Sequence, residues 1–177
     1  STLLYNINEK AIVIAPPHLT DQRDEYREKF AFDAEVFSSW SVDKALQYDI
    51  ESIHKAWIIL IDEAHKYRNA DTIDYWYLHQ ICQWKKVILL TATPFNNKPD
   101  DIFNLIKLFQ IPNKPTIHTN KWLLIDFSHL QKQYDELRKT QNRDENDDFV
   151  HDAQLRSIAQ QIRQLIWSVV VRRSRVD

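Results

Sequence analysis

The 177-residue chain contains no glycine and no methionine, and it has one cysteine, Cys82. A glycine-rich phosphate-binding loop therefore cannot lie within these residues, because such a loop needs glycine to bring its amides to the phosphates. A single cysteine excludes a disulfide framework and a multi-thiolate zinc site, and it favours a reducing compartment. No apolar run approaches the roughly 20 residues that cross a bilayer, which excludes a helical membrane-spanning protein.

The charged residues nearly balance, with 23 lysines and arginines against 25 aspartates and glutamates and a formal net charge of −2. This balance argues against a generally basic nucleic-acid-coating protein, although it allows a local basic patch. The length and the 44% hydrophobic content fit one core-forming domain of about 100–200 residues. No secretory apolar segment opens the sequence, so we expect an intracellular protein, cytoplasmic if it is bacterial.

Short apolar runs alternate with helical patterns through the first two-thirds of the chain. The runs predict four strands: Ala11 to Ala15, Glu35 to Ser38, Trp57 to Asp62 and Lys86 to Thr91. A helix-favouring stretch from about Leu19 to Phe32 follows the first run. Between the third and fourth runs, apolar residues recur at helical spacing: Ile73, Trp76, Tyr77 and Ile81. Strands separated by helices of this length are typical of βαβ units, so we predict an α/β fold with a parallel sheet flanked by helices.

The pattern changes from about Pro112 onward. Two helical stripes, Leu123 to Leu137 and Leu155 to Ile166, flank the acidic connector Gln141 to Asp148, which predicts a helical hairpin appended to the α/β core. We therefore predict three segments: a core over residues 1–111, a helical insertion over 112–167, and a return strand with an arginine-rich element over 168–177.

Two adjacent carboxylates, Asp62 and Glu63, end the third predicted strand. In open α/β sheets, ligands bind at the carboxyl edge of the strands, where this pair would lie. Nucleotide hydrolysis needs a carboxylate that holds Mg²⁺ and a group that orients the attacking water, and adjacent acids can divide these tasks. The alternative is that the pair only favours the positive end of a following helix. The next residues, Ala64 and His65, weigh against that alternative.

Four segments, in one order along the chain, resemble motifs of the Swi/Snf-type ATPases, a group of superfamily-two helicases and translocases. Asp62 to Asn69 (DEAHKYRN) resembles the DEAH form of the Walker B box. Leu89 to Asn97 (LLTATPFNN) resembles the third motif, Ala11 to Thr20 (AIVIAPPHLT) resembles motif Ia, and Val171 to Arg175 (VRRSR) resembles the arginine element after the helical protrusion. The resemblance spans nearly the whole chain and implies an incomplete RecA-like motor domain that uses ATP and Mg²⁺.

The resemblance also implies roles for single residues. Asp62 would coordinate Mg²⁺ through water, Glu63 would activate the hydrolytic water, and His65 would relay the nucleotide state. Thr91 and Thr93 would hydrogen-bond to the DEAH-containing segment Asp62 to Asn69, called the acidic segment below, and couple it to the nucleic-acid surface. Hydroxyls suit this role because they donate and accept hydrogen bonds over a short reach. Taken alone, these threonines would be ordinary turn residues before a proline.

Pro17, His18 and Thr20 correspond to the family loop that contacts the phosphate backbone of the tracked strand, a contact that reads no bases. The alternative is a rigid proline turn. The sequence departs from the family around Arg23, where related proteins commonly carry an aromatic residue.

The function implied by the resemblance is that of a fragment of an ATP-dependent double-stranded DNA translocase. Its partners would be duplex DNA and a second RecA-like domain of the same longer chain. The alternatives are a strand-separating DEAH-type DNA or RNA helicase and a non-catalytic nucleic-acid-binding module. In this family the phosphate loop precedes motif Ia and the second domain follows the arginine element, so we expect both to lie outside these residues. They supply most of the charge stabilisation in phosphoryl transfer. We therefore expect this chain alone to hydrolyse ATP very slowly or not at all.

Overall fold

A computed structural model describes residues 10–19, 25, 34–39, 42–44, 50–92, 98–112, 123–141 and 148–171 of the chain. The chain divides into two compact units. The first comprises Ser1–Asn96 and Asn104–Phe109, and the second comprises Asn97–Phe103 and Gln110–Asp177. The predicted three-segment organisation stays a prediction.

The first unit contains a four-stranded sheet made of β1 (Ala11–Ala15), β2 (Ala34–Ser38), β3 (Ile58–Ile61) and β4 (Lys86–Leu89). The strand order is β2-β1-β3-β4, and all three neighbouring pairs are parallel. The predicted α/β class is therefore confirmed. An open parallel sheet flanked by helices is consistent with an incomplete RecA-like domain.

The central strands β1 and β3 are buried on both faces, which explains why they are continuously apolar rather than alternating. Successive side chains point to opposite faces, and they separate into two core clusters. One cluster contains Ile12, Ile14, Ile59 and Ile61, and the other contains Ala11, Val13, Ala15 and Ile58.

Three of the four predicted strands differ from the observed ones at their ends. β2 begins one residue earlier, at Ala34, and β3 is shorter by Trp57 and Asp62. Trp57 precedes the ladder and is exposed. β4 ends at Leu89 instead of Thr91, because its partner β3 has already turned away and leaves no strand to pair with.

Among the described residues, helices that accompany the sheet include α1 (Ile50–Lys55), α2 (Ile73–Cys82) and α3 (Pro99–Lys107), and α3 contains residues of both units. Thr72 caps α2, since its Oγ1 accepts a hydrogen bond from the Tyr75 N–H at 3.3 Å. The predicted helix is present, but its buried face is offset from the predicted stripe. The buried residues are Tyr75, Leu78, Ile81 and Cys82, whereas Ile73 and Trp76 are exposed.

A type II β-turn follows α2 and leads into β4. Gln83 has φ −58° and ψ 127°, Trp84 has φ 62°, and the Lys85 N–H donates to the Cys82 carbonyl at 3.2 Å. The third position of this turn requires a positive φ and usually holds glycine. In this glycine-free chain a tryptophan occupies it, with 89% of its surface exposed.

The second unit contains the long helices α4 (Leu123–Gln141) and α5 (Asp148–Ile166), followed by a 3₁₀ turn at Trp167–Val169. The two long helices pack against each other. Their buried residues follow the predicted stripes and are Leu123, Phe127, Leu130, Tyr134, Ile158, Ile162 and Ile166. The ring of Phe103 stacks on that of Phe127, with 4.9 Å between centroids.

Several predicted features lie wholly or partly outside the described residues. Of the helix predicted over Leu19 to Phe32, the structure describes only Leu19 and Glu25. At the predicted return strand, Val170 has extended dihedral angles, with φ −109° and ψ 123°, but the residues after Val171 are not described. No helix in the described part of the chain is long and apolar enough to cross a membrane.

Candidate functional site

The carboxyl-terminal ends of β3 and β4 lie side by side, joined by main-chain hydrogen bonds. The Leu90 N–H donates to the Ile61 carbonyl at 2.8 Å, and the Ala64 N–H donates to the Leu90 carbonyl at 2.9 Å. The structure therefore brings Asp62, which follows β3, and Thr91, which closely follows β4, to one edge of the sheet.

The end of β1 lies at the same edge, because β1 is the other parallel neighbour of β3. Pro17 and His18 follow β1 and lie in a helical turn with Leu19. In that turn the Leu19 N–H donates to the Pro16 carbonyl at 2.9 Å. His18 is exposed and Pro17 is half-buried, so an exposed polar side chain stands at the end of β1.

The acidic pair has a strained and locally fixed backbone. The Asp62 N–H donates to the Ile14 carbonyl at 2.8 Å, and Asp62 Oδ1 accepts a hydrogen bond from the Glu63 N–H at 3.0 Å. Glu63 then adopts φ 52° and ψ 44°, in the left-handed region. For a residue with a Cβ this conformation costs about 1–2 kcal/mol, and such strain clusters at functional sites.

His65 contacts the acidic pair and the end of β4 through one nitrogen. Its Nδ1 lies 3.1 Å from Glu63 Oε2 and 3.5 Å from Thr91 Oγ1. The side chains of Glu63 and His65 are 36% and 32% exposed, so solvent screens the pair and its contribution to stability is small. The contact matters more for geometry, because it joins three of the residues predicted from the sequence.

A buried turn anchors the segment behind these polar groups. The residues Ala64–Tyr67 form a 3₁₀ helix in which Ala64 and Tyr67 are buried, and both belong to the core cluster beneath the sheet. Burial, helped by the negative charge of Asp74, raises the pKa of Tyr67 to about 12. Tyr67 is therefore neutral at physiological pH and anchors the segment in the core.

The SNF2-related domain family has a sequence model that matches residues 18–177 of this chain. The chain belongs to this family. The matched region includes the acidic pair, His65 and Thr91, so the Swi/Snf-type resemblance of these motifs is confirmed at the level of the family.

Two curated relatives of this SNF2-related chain are named as ATP-dependent helicases. An uncharacterized ATP-dependent helicase of Bacillus subtilis is 42% identical over 53 residues, which is 30% of this chain and 9% of that protein. A mimivirus protein (Acanthamoeba polyphaga mimivirus), named as a candidate ATP-dependent RNA helicase, is 29% identical over 108 residues, which is 59% of this chain and 24% of that protein. The chain thus spans a quarter or less of the length of these relatives.

Three of the predicted site features of the SNF2-related chain lie outside the described residues. They are Thr20, Thr93 and the arginine element from Arg172 to Arg175. The roles predicted for them, and for the residues that the structure does bring together, stay predictions.

Magnesium was predicted at Asp62, and the donor chemistry of the acidic pair fits that ion. Within the described ranges, no group of three or more histidine, cysteine, aspartate or glutamate side chains could hold a metal ion. Mg²⁺ rarely needs such a cage, because it keeps several waters and binds one or two carboxylates together with substrate phosphates. Asp62 and Glu63 offer that kind of oxygen ligand at the sheet edge.

One contact to the acidic segment involves a residue that sequence reasoning missed. Asn104, on α3, donates from its Nδ2 to the Arg68 carbonyl at 2.7 Å. The available signal was a polar residue inside the apolar run from Ile102 to Ile106. An amide in such a position needs a hydrogen-bond partner.

Proposed function

We propose that this chain is part of the motor of an ATP-dependent double-stranded DNA translocase of the SNF2-related family. The observation that supports the proposal is the placement of the acidic pair beside Thr91 at one sheet edge, with His65 contacting both. This is the edge at which open parallel sheets bind ligands.

In this proposal the two carboxylates have separate tasks. Asp62 would hold Mg²⁺, as the resemblance implies, and the ion would supply positive charge against the ATP phosphates. Glu63 accepts a proton from the attacking water or orients it, which general-base groups do for gains of about 10²–10⁴-fold in rate.

His65 and Thr91 connect the hydrolytic residue to the segment after β4. Because His65 Nδ1 faces both Glu63 and Thr91, a nucleotide that changes the partners of Glu63 also changes the contact with Thr91. Thr93, which the resemblance gives the same coupling role, lies outside the described residues. A change in nucleotide state thereby reaches the nucleic-acid surface, as motor proteins require.

Duplex DNA would bind at the end of β1, through Pro17, His18 and Thr20, by contacts to its phosphate backbone. The exposed His18 at the shared edge supports this assignment. Hydrolysis would also need a second RecA-like domain with arginines that stabilise the transferring phosphate. The relatives are much longer than the matched segment, which leaves room for such a domain.

A strand-separating helicase is the second candidate, and the name of the mimivirus relative, which includes RNA, favours it. The two activities differ in what they displace. A translocase moves along an intact duplex and displaces a third strand, whereas a helicase separates the two strands of the duplex.

The test uses the full-length protein that contains this chain. We expect duplex DNA to stimulate its steady-state ATP hydrolysis, and we expect displacement of a triplex-forming oligonucleotide without separation of the duplex. Stimulation by RNA together with strand separation would favour the helicase. Absence of ATP hydrolysis with every nucleic acid would leave a non-catalytic binding module and refute the proposal.

A further inference from the structure

A series of hydrogen bonds within the first unit joins the acidic segment to Tyr75 on α2 and Asn104 on α3. The Asn104 Nδ2 donates to the Arg68 carbonyl at 2.7 Å, and the Tyr75 hydroxyl donates to the Asn104 carbonyl at 2.8 Å. Asn104 lies on α3, Tyr75 on α2, and Arg68 ends the 3₁₀ turn after the acidic pair. Asn104 therefore connects three separate elements.

The bond from Asn104 satisfies a carbonyl that the turn itself leaves without a partner. Arg68 is the C-cap of the 3₁₀ turn, with φ −70° and ψ −20°, and carbonyls at helix ends need a partner from outside the helix. Both bonds are partly buried. Water compensates poorly for a bond lost in such a place, so each bond favours one position of the turn.

The two ends of the acidic segment are held by different means. Its beginning is attached to the sheet, because the Asp62 N–H donates to the Ile14 carbonyl. Its far end is held by the side chain of Asn104 at Arg68. Between them the Lys66 N–H donates to the Glu63 carbonyl at 3.1 Å, so a shift of the turn displaces Glu63 directly.

The hydroxyl of Tyr75 fixes the position of Asn104 itself. Tyr75 is buried in the core cluster together with Leu105 of α3 and Leu108, which directly follows α3. Its hydroxyl holds the main chain at Asn104, and the amide of Asn104 then holds Arg68.

We propose that Asn104 is a positioning residue for Glu63, acting through the Arg68 carbonyl and the 3₁₀ turn. The inference rests on the proposed function for its consequence in catalysis, but the geometry that it predicts can be measured without any activity. The two readouts below therefore separate a failure of this inference from a failure of the proposed function.

The geometric test measures amide hydrogen exchange in the 177-residue chain. Asn104→Asp keeps the shape of the side chain but cannot donate to a carbonyl, and we expect the Lys66 amide to exchange about tenfold faster. The Leu90 amide, which bonds to Ile61 in the sheet, should change by less than about twofold. Asp101→Asn, on the same helix, is the matched control and should alter neither rate.

The catalytic test compares the same variants in the full-length protein. We expect Asn104→Asp to lower kcat for ATP hydrolysis by about tenfold or more with KM within about threefold, because a displaced catalytic group affects the chemical step more than binding. Asp101→Asn should retain the wild-type kcat. Tyr75→Phe, which removes one hydroxyl, should show smaller changes of about threefold at Lys66 and in kcat, and it decides the question if Asn104→Asp does not fold.

Three results would overturn the inference. One is an unchanged exchange rate at Lys66, and another is an equal acceleration at Lys66 and Leu90, which would indicate a general loss of stability. The third is an unchanged kcat in an active full-length protein whose Lys66 amide has become labile. A full-length wild-type protein without ATP hydrolysis would instead refute the proposed function, and the catalytic part of this inference with it.

Discussion

The left-handed backbone at Glu63 predicts that this position is optimised for activity at the expense of stability. Its φ of 52° and ψ of 44° cost about 1–2 kcal/mol for a residue with an ordinary side chain, whereas asparagine tolerates the same region. We therefore compare Glu63→Asn with Glu63→Gln. Both substitutions remove the carboxylate, but only the asparagine variant relieves the strain.

The expected magnitude follows from what the two variants share. Each loses the contact between Glu63 and His65, which is worth at most about 1 kcal/mol because both side chains are partly exposed. That loss is the same in both variants, so the difference in their stability reflects only the cost of the left-handed backbone at position 63. We expect Glu63→Asn to be more stable than Glu63→Gln by about 1 kcal/mol, or about 2–4 °C in the thermal midpoint for a chain of this size.

Thermal unfolding followed by circular dichroism measures the difference, and ATP hydrolysis by the full-length protein is measured on the same pair. Both variants should have lost hydrolysis, so stability and activity change independently. Equal midpoints, or a more stable glutamine variant, would show that the left-handed conformation at this position carries no strain, and the reasoning would fail.

The other predictions concern the turn after α2, the single cysteine and the isolated chain. Trp84→Gly should be more stable than Trp84→Ala by about 1 kcal/mol in thermal unfolding, because both remove an exposed ring and only glycine relieves the positive φ; equal stability would contradict this. Burial raises the pKa of Cys82 to about 12, so the folded chain at pH 8 should resist labelling by a disulfide reagent and react only on unfolding; immediate labelling would contradict it. The 177-residue chain alone should hydrolyse ATP well below about 1 s⁻¹ with saturating duplex DNA, and a turnover at or above that rate would show that the chain needs no further phosphate-binding elements.

The fold class and the four strands were predictable from the sequence because a parallel sheet buried on both faces leaves continuous apolar runs. The ends of the strands were not predictable, because a strand ends where its neighbour stops pairing with it. The residues around Leu90 do not indicate that β3 ends before Asp62. The extent of β4 therefore cannot be predicted from its own sequence, because it depends on pairing with β3.

The helix α2 was predicted from its apolar spacing, but which of its sides is buried did not follow from that spacing. Ile73 and Trp76 are apolar and have helical spacing, but they are exposed, while Tyr75 and Cys82 are buried. The helix is apolar on most sides, so hydrophobicity alone does not decide which side faces the sheet. Tyr75 can be buried because its hydroxyl donates a hydrogen bond to the Asn104 carbonyl.

The approach of Asp62 to Thr91 followed from topology, since parallel neighbouring strands end at one edge. The positive φ of Glu63 and the contact of His65 Nδ1 with two partners depend on the packed turn and could not be predicted from spacing. The role of Asn104 in holding Arg68 is of the same kind. Its side chain is close to the acidic segment only because α3 returns to it 36 residues after Arg68.

The most direct test of the central claim, that the acidic pair is a site of ATP hydrolysis, is the hydrolysis rate of Glu63→Gln in the full-length protein, measured beside its affinity for ATP. The control is Glu51→Gln, whose carboxylate pairs with Lys55 on the surface of α1. We predict that Glu63→Gln loses about 10²–10⁴-fold in rate and still binds ATP, while Glu51→Gln hydrolyses ATP at the wild-type rate. A Glu63→Gln protein that hydrolyses ATP as fast as the control would contradict the account.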